Sequence, residues 1–209
     1  MKNTGSRSKF WLLGPAAAFL STASIIGFAA LRDDGYSHGT KAVSELGVIG
    51  APMGMAFNLL GFIVPGILLI GFAIDLWRAS GRKTGPTLLV LSGAMLALAG
   101  LAPADMDDAE AATTVLHYIG AIGSGTFWAL SLFWLGPLLQ REFKLERWGR
   151  ITPWFALFLF ANIGWQIAFR ATGLVLPGWG QRIGFLGYFA WIAITGVLLW
   201  RKGLEKRSN

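Results

Sequence analysis

The sequence predicts an all-α fold: a polytopic membrane bundle of six transmembrane helices, arranged as three outward-opening hairpins with both termini cytoplasmic. Three observations predict it. Of 209 residues, 54% are hydrophobic and only 14% are Asp, Glu, Lys or Arg, against roughly 25% in a soluble domain. Six separate stretches approach or exceed the roughly 20 apolar residues that a helix needs to cross a hydrocarbon core of about 30 Å. Lys and Arg also gather in alternate connections, as they do around membrane spans. The mean hydropathy of +0.55 agrees. A soluble enzyme of this length could not bury so much apolar surface. With no Cys in the chain, disulfides, thiolate metal sites and cysteine nucleophiles are excluded.

Each span is expected as a helix, because a helix satisfies its own backbone in hydrocarbon. The first, 10–31, follows Lys2, Arg7 and Lys9 in the manner of a signal peptide. It is longer than a usual signal core, and Ala29-Ala30-Leu31 is a poor cleavage site, so a retained helix is expected. The second, 53–77, carries Asn58 and Pro65 and closes on Asp75, which Arg78 can pair with three residues later. The third, 86–102, is the shortest, with Gly93 and Ala97 spaced for close helix packing. The fourth, 113–139, holds His117 about one turn inside, followed by Gly120 and Ser124. The fifth, 153–174, carries Asn162, Gln166 and Arg170, and the sixth, 183–200, opens directly after Arg182. Trp11, Trp77, Trp148, Trp154, Trp179 and Trp200 fall near span ends, where such rings settle at the headgroup level. The chain reads as a single integral membrane domain over 1–209.

Charge sets the orientation. Lys2, Arg7, Lys9, Arg78, Arg82, Lys83, Arg141, Lys144, Arg147, Arg150, Arg201, Lys202, Lys206 and Arg207 fall on one side, leaving Arg32, Lys41, Arg170 and Arg182 on the other. Asp33, Asp34, Glu45, Asp105, Asp107, Asp108 and Glu110 fall with the latter four. The basic side is therefore expected in the cytoplasm of a cell membrane. The net charge of +7 reflects topology and contact with anionic lipid, not a nucleic-acid surface.

Polar groups inside a membrane are costly, so they direct attention to function. Asn162, Gln166 and Arg170 share one helical face at i, i+4, i+8 and rise about 12 Å toward the exterior. They serve either interhelical hydrogen bonding with a snorkelling Arg170 or a ligand pocket. Asn58, His117 and Arg182 lie at similar heights, and the exterior loops add His38, Ser44, Glu45, Asp105, Asp107 and Asp108. Residues 57–61 with Gly66 also align with 116–120 and Gly125. This puts Asn58 and His117 at equivalent depths, by duplication or by chance spacing of small residues.

Two chemistries suit this set. Asn58, Asn162, Gln166, Arg170, Arg182 and Ser44 offer groups for an anionic lipid headgroup or a small anion, with Arg giving bidentate contacts. Alternatively, Glu45, Asp105 and His117 supply acid–base groups for a membrane-embedded lipid hydrolase or transferase. A divalent metal on His117, Glu45 and Asp105 or Asp107 would extend that chemistry. No HxxxH or HxxH pairing supports the metal, and haem is excluded because His117 is the only span histidine. No P-loop, nucleophile elbow or dinucleotide fingerprint appears. No cofactor is therefore expected.

Tyr36-Ser37-His38, Ser44-Glu45-Leu46-Gly47, Ala51-Pro52 and Phe57-Asn58 form an ordered set with Ala102-Pro103-Ala104-Asp105, His117, Gly120-Ala121, Gln181-Arg182 and Trp191. This order resembles the prokaryotic multi-pass membrane family called domain of unknown function 998, from about residue 9 to 201. The run Asp105-Met106-Asp107-Asp108 departs from it by leaving the usual aspartate ambiguous. The resemblance implies the six-span architecture and carries over Ser44, Glu45, Asn58, Asp105, His117 and Arg182. The family is also distantly similar to DRAM and Sfk membrane proteins, which implies a lipid-facing role by analogy. Membrane lipids are thus the expected partners. Binding ranks first, lipid chemistry second, and solute transport third, since Pro65 is the only broken-helix signal. Oligomeric state is not set by the sequence.

Overall fold

The computed structural model describes residues 9–208, so Lys2 and Arg7 lie outside the described residues. The described chain is helical, and no strand occurs within it. Six helices are long and apolar enough to cross a membrane: α1 (Phe10–Ala30), α2 (Gly54–Ser80), α3 (Thr84–Leu101), α4 (Ala112–Arg141), α5 (Glu146–Ala171) and α6 (Pro177–Ser208). Large apolar side chains remain exposed on every one of them, among them Phe19, Ile67, Leu101, Ile122, Ile167 and Leu186. Such a surface suits lipid and not water. The protein is a multi-pass membrane protein.

The expected spans and the helices agree in number but not in every bound. The fifth helix begins at Glu146 where 153 was expected, and the sixth runs over Pro177–Ser208 where 183–200 was expected. Hydropathy marks only the apolar stretch of a helix, while the hydrogen-bonded rod continues into polar turns at both ends. Pro177 can open α6 because the first helical N–H has no partner to lose.

Neighbours in sequence pack against each other from α1 to α6, and α6 closes on α1. Glycine permits the tightest crossings. A β-carbon at Gly66 or Gly93 would meet the other's carbonyl oxygen at 2.5 or 2.7 Å, so α2 and α3 touch backbone to backbone. Gly136 and Gly149 do the same between α4 and α5, at 2.8 and 2.5 Å. Trp128, Trp191, Phe72 and Leu132 fill the interior.

Polar side chains repair the backbone where proline breaks it. After an α-helical first turn over Gly54–Phe57, α2 passes through a π-helical turn over Asn58–Ile63, and Pro65 follows. Proline has no N–H to give to the carbonyl four residues back. That carbonyl belongs to Gly61, and the Ser21 hydroxyl of α1 donates to it at 2.9 Å.

α5 and α6 are joined by a reciprocal pair of bonds. Trp148 Nε1 donates to Thr195 Oγ1 at 2.8 Å, and Trp191 Nε1 donates to Thr152 Oγ1 at 3.1 Å. Each threonine hydroxyl in turn donates to the carbonyl of the tryptophan one turn earlier on its own helix. Trp148 is therefore not the headgroup anchor expected from its place near a span end. Neither is Trp11, which is buried with its ring edge-on to Phe72 and Phe143. Both sit where a neighbouring helix covers them, which position along the sequence does not reveal. Trp77, Trp154, Trp179 and Trp200 are exposed as expected.

The connections after α2 and α4 share one end, where Arg82 Nε and Glu142 Oε1 meet at 3.1 Å. The segments at 31–53 and 102–111 and the start of α6 meet at the opposite end. There Ile49 N donates to Ala104 O, and Trp179 N donates to Gly39 O. This second end, called the acidic-loop end below, positions the candidate site.

Candidate functional site: a neutral cavity below the acidic loops

Proline also governs the site. α3 ends at Leu101, and Pro103 cannot donate to the Ala99 carbonyl one turn back. His117 of α4 does so instead, with Nδ1 at 2.8 Å from Ala99 O and 3.1 Å from Ala102 O. Both partners are acceptors, so Nδ1 carries the proton. In the neutral imidazole Nε2 is then an acceptor. His117 is only 3% exposed, and Nε2 has no partner among the described residues.

His117 forms part of the wall of a cavity of about 270 Å³. Phe62 of α2, Leu96 and Ala99 of α3, Trp128 of α4, Leu159 of α5 and Phe185 of α6 give it apolar sides. Ser44, Asn162, Gln166 and Gln181 face it from the loops and helix ends, and Ser124 and Tyr188 from deeper in the bundle. The Tyr188 hydroxyl is 2.8 Å from Ser92 Oγ and 3.3 Å from Ser124 Oγ, while Ser92 donates to Ser124 O at 2.9 Å. Tyr118, Ala121 and Ile122 also line the cavity and are exposed on the outside of α4. The cavity is therefore open sideways along α4.

The structure gathers some expected site residues here and scatters others. Asn162 Nδ2 donates to Gly180 O and its Oδ1 accepts from Trp165 Nε1, both at 2.9 Å. Gln166 Nε2 donates to Asn162 O at 3.0 Å, and its amide packs on Gly180 where a β-carbon would stand. The Ser44 backbone N–H donates to Gln181 Oε1 at 3.3 Å, which leaves the Gln181 amide N–H groups and the Ser44 hydroxyl without partners among the described residues. Asn58 lies outside the cavity lining and pins the first loop, donating to Gly47 O at 2.7 Å.

The two arginines do not face the cavity. Arg182 Nε donates to His38 Nδ1, and Nη1 donates to the carbonyls of His38, Lys41 and Gly178. Nη2 donates to Tyr36 Oη at 2.8 Å, and Tyr36 in turn donates to Ala42 O. Burial pushes the Tyr36 hydroxyl above the ordinary phenol range, and its bond from Arg182 opposes that shift. Arg182 is thus the clasp of the first loop. Arg170 is exposed and lines a separate groove of about 410 Å³ with Trp165, Phe169, Val175 and Leu176, to which Gln166 also belongs.

The carboxylates are engaged in their own loops. Glu45 Oε1 accepts from Ala42 N at 2.8 Å, and Oε2 pairs with Lys41 at 3.2 Å. Asp105 Oδ1 accepts from Asp107 N, Asp107 is exposed, and Asp108 Oδ1 accepts from the N–H groups of Glu110 and Ala111 ahead of α4. Arg32 is paired with Asp34, which holds that carboxyl below the usual carboxylate range. Among the described residues no three His, Cys, Asp or Glu side chains converge in a way that could hold a metal. His117, Glu45, Asp105 and Asp107 are therefore not brought to one point.

The family described as Protein of unknown function (DUF998) matches residues 16–198. The chain belongs to this family. No curated protein and no solved structure matches the chain significantly. The matched range of this DUF998 protein contains every cavity residue named above. Sequence reasoning had not placed Phe62, Ser124, Trp128, Gln181 or Tyr188 in the site. A signal was present in part: Gln181, Gly184, Phe185 and Tyr188 follow the i, i+3, i+4, i+7 spacing of one helical face.

Proposed function

We propose that this DUF998 protein binds a membrane lipid, with its polar part in the cavity below the acidic loops and its chains leaving sideways along α4. The basic residues of the opposite end put that end, and both termini, in the cytoplasm by the positive-inside rule. The cavity then opens to the outer leaflet. Its volume of about 270 Å³ lies near the lower end of small-ligand pockets, roughly 300 Å³ and up. It takes part of a lipid and not the whole molecule. The observation that carries this reading is the combination of apolar walls with an unpartnered polar atom on the buried His117 side chain. An anionic headgroup, the sequence's first candidate, would find its cation in Arg170, across Gln166 in the neighbouring groove. Arg182 does not serve it.

Gly125 provides the test. It lines the cavity, and the nearest atom to an added β-carbon is Leu159 Cδ2 at 3.8 Å. Gly125→Phe is therefore expected to fill the cavity from a β-carbon that meets no backbone of another helix. Native mass spectrometry of the protein released from membranes is expected to show a retained lipid on the wild type and its loss from the variant, with both remaining folded by thermal unfolding. Equal lipid occupancy of the two folded proteins would reject the reading.

A further inference from the structure

We infer that the lipid this cavity selects is uncharged and carries a free hydroxyl, which donates its hydrogen bond to His117 Nε2. The inference rests on the lipid-binding reading and adds the chemical class of the ligand.

The cavity wall holds no Lys, Arg, Asp or Glu. A phosphate in an apolar site needs a paired positive charge; the guanidinium of Arg182 is already engaged by the first loop, and Arg170 is exposed in the neighbouring groove and not in this wall. Hydrogen-bond valence narrows the ligand further. His117 Nδ1 is held by the carbonyls of Ala99 and Ala102, which leaves Nε2 as a lone pair in the wall. Gln166 uses one N–H for the Asn162 carbonyl and keeps its oxygen and its second N–H. Gln181 uses its oxygen for Ser44 N–H and keeps its N–H groups. The open positions are thus two acceptors, His117 Nε2 and Gln166 Oε1, and the remaining amide N–H groups of Gln166 and Gln181, with the Trp128 indole N–H also unpartnered and the Ser44 hydroxyl able to serve either way.

An ionised phosphate, monoester or diester, brings charged acceptor oxygens. It would meet the amide donors but would face the His117 Nε2 lone pair with no cation in the wall. A hydroxyl donates once and accepts as well, so it can answer His117 Nε2 and Gln181 together. Leaving a buried acceptor unmade costs more than an average hydrogen bond contributes, so the mismatch works directly against charged headgroups.

The test uses two photoreactive, alkyne-tagged probes of equal chain length, a diacylglycerol and a phosphatidic acid, added to the full chain in detergent. Labelling is read on α4 and α6 peptides. The expected result is preferential labelling by the diacylglycerol, competed by unlabelled diacylglycerol. His117→Asn retains an amide N–H for the Ala99 carbonyl while removing the ring acceptor. It is expected to weaken diacylglycerol labelling about tenfold, the equivalent of one such bond, with its melting temperature close to wild type. His117→Ala is expected to lose both labelling and stability. Equal or stronger labelling by phosphatidic acid overturns the inference, as does unchanged diacylglycerol labelling in His117→Asn. Should Gly125→Phe leave labelling by both probes untouched, the lipid-binding reading itself fails. If Gly125→Phe abolishes labelling while the probes do not differ, only the ligand class is wrong.

Discussion

His117 performs the bond that Pro103 cannot. Its Nδ1 lies 2.8 Å from the Ala99 carbonyl, the acceptor that a backbone N–H at 103 would take if the helix ran on past Leu101. The end of α3 thus fixes the protonated nitrogen of a histidine on the next helix and leaves its other nitrogen as the acceptor.

This relationship predicts a coupled pair of substitutions. His117→Ala leaves two helix-end carbonyls without their donor and is expected to cost about 1–3 kcal/mol. In a Pro103→Ala background α3 can wind on through Ala102 and bring a backbone N–H to Ala99, so the same His117→Ala change is expected to cost less. Thermal unfolding of the four proteins in one detergent gives the coupling. Additive effects would show that the two residues act separately.

The joint between α5 and α6 predicts an asymmetry. Thr152→Val strands the indole N–H of Trp191, which is 0% exposed. Thr195→Val strands that of Trp148, which is only partly buried. An unmade bond costs more where water cannot replace it, about 1–3 kcal/mol for a buried group. Thr152→Val is therefore expected to lower the melting temperature more than Thr195→Val, and a reversed order would contradict the pairing.

Gly178 sets the docking of the first loop. A β-carbon there would strike the carbonyls of His38, Gly39 and Lys41, which are backbone and cannot swing aside. Gly178→Ala is expected to push the loop off α6 and to break the bonds from Arg182. Hydrogen exchange over residues 36–46 should rise well above wild type, while that of α2 and α3 stays unchanged. Unaltered exchange in the loop would argue against this clasp.

Tyr36 predicts an alkaline limit for the same loop. Its phenol lies above the ordinary range of about 10 because burial disfavours the phenolate. The folded state thus holds its proton more tightly than the unfolded chain. The resulting stabilisation is complete below about pH 10 and is lost as pH rises through the folded value. Carbon-13 tyrosine spectra should show Tyr36 titrating above the ordinary phenol value of about 10. Arg182→Gln, which removes the group that lowers the Tyr36 value, should move its titration higher still if the loop stays docked.

The spans were legible because hydrocarbon is a one-dimensional filter: it selects runs of apolar residues, and runs are visible in a sequence. The bundle's six helices followed from that filter, and so did the choice of Asn162, Gln166 and His117 as span residues that turn away from lipid. The helix ends were less legible, since α5 and α6 continue into polar turns that hydropathy does not score. Trp11 and Trp148 were misread for a related reason. Position along a span gives depth, but not the direction in which a ring points.

Arg182 and Arg170 marked the limit of sequence reasoning on function. Their charge, depth and neighbours suggested an anion site, yet Arg182 closes on backbone carbonyls of a loop more than 130 residues earlier, and Arg170 lines the adjoining groove. The carboxylates diverged likewise: Glu45, Asp105 and Asp108 accept from N–H groups of their own turns, and Asp107 is exposed. Composition and spacing determine which groups must find partners away from lipid, because leaving them bare in hydrocarbon is costly. Which partner each one takes depends on directions and distances between helices remote in sequence, and only the packed bundle decides that.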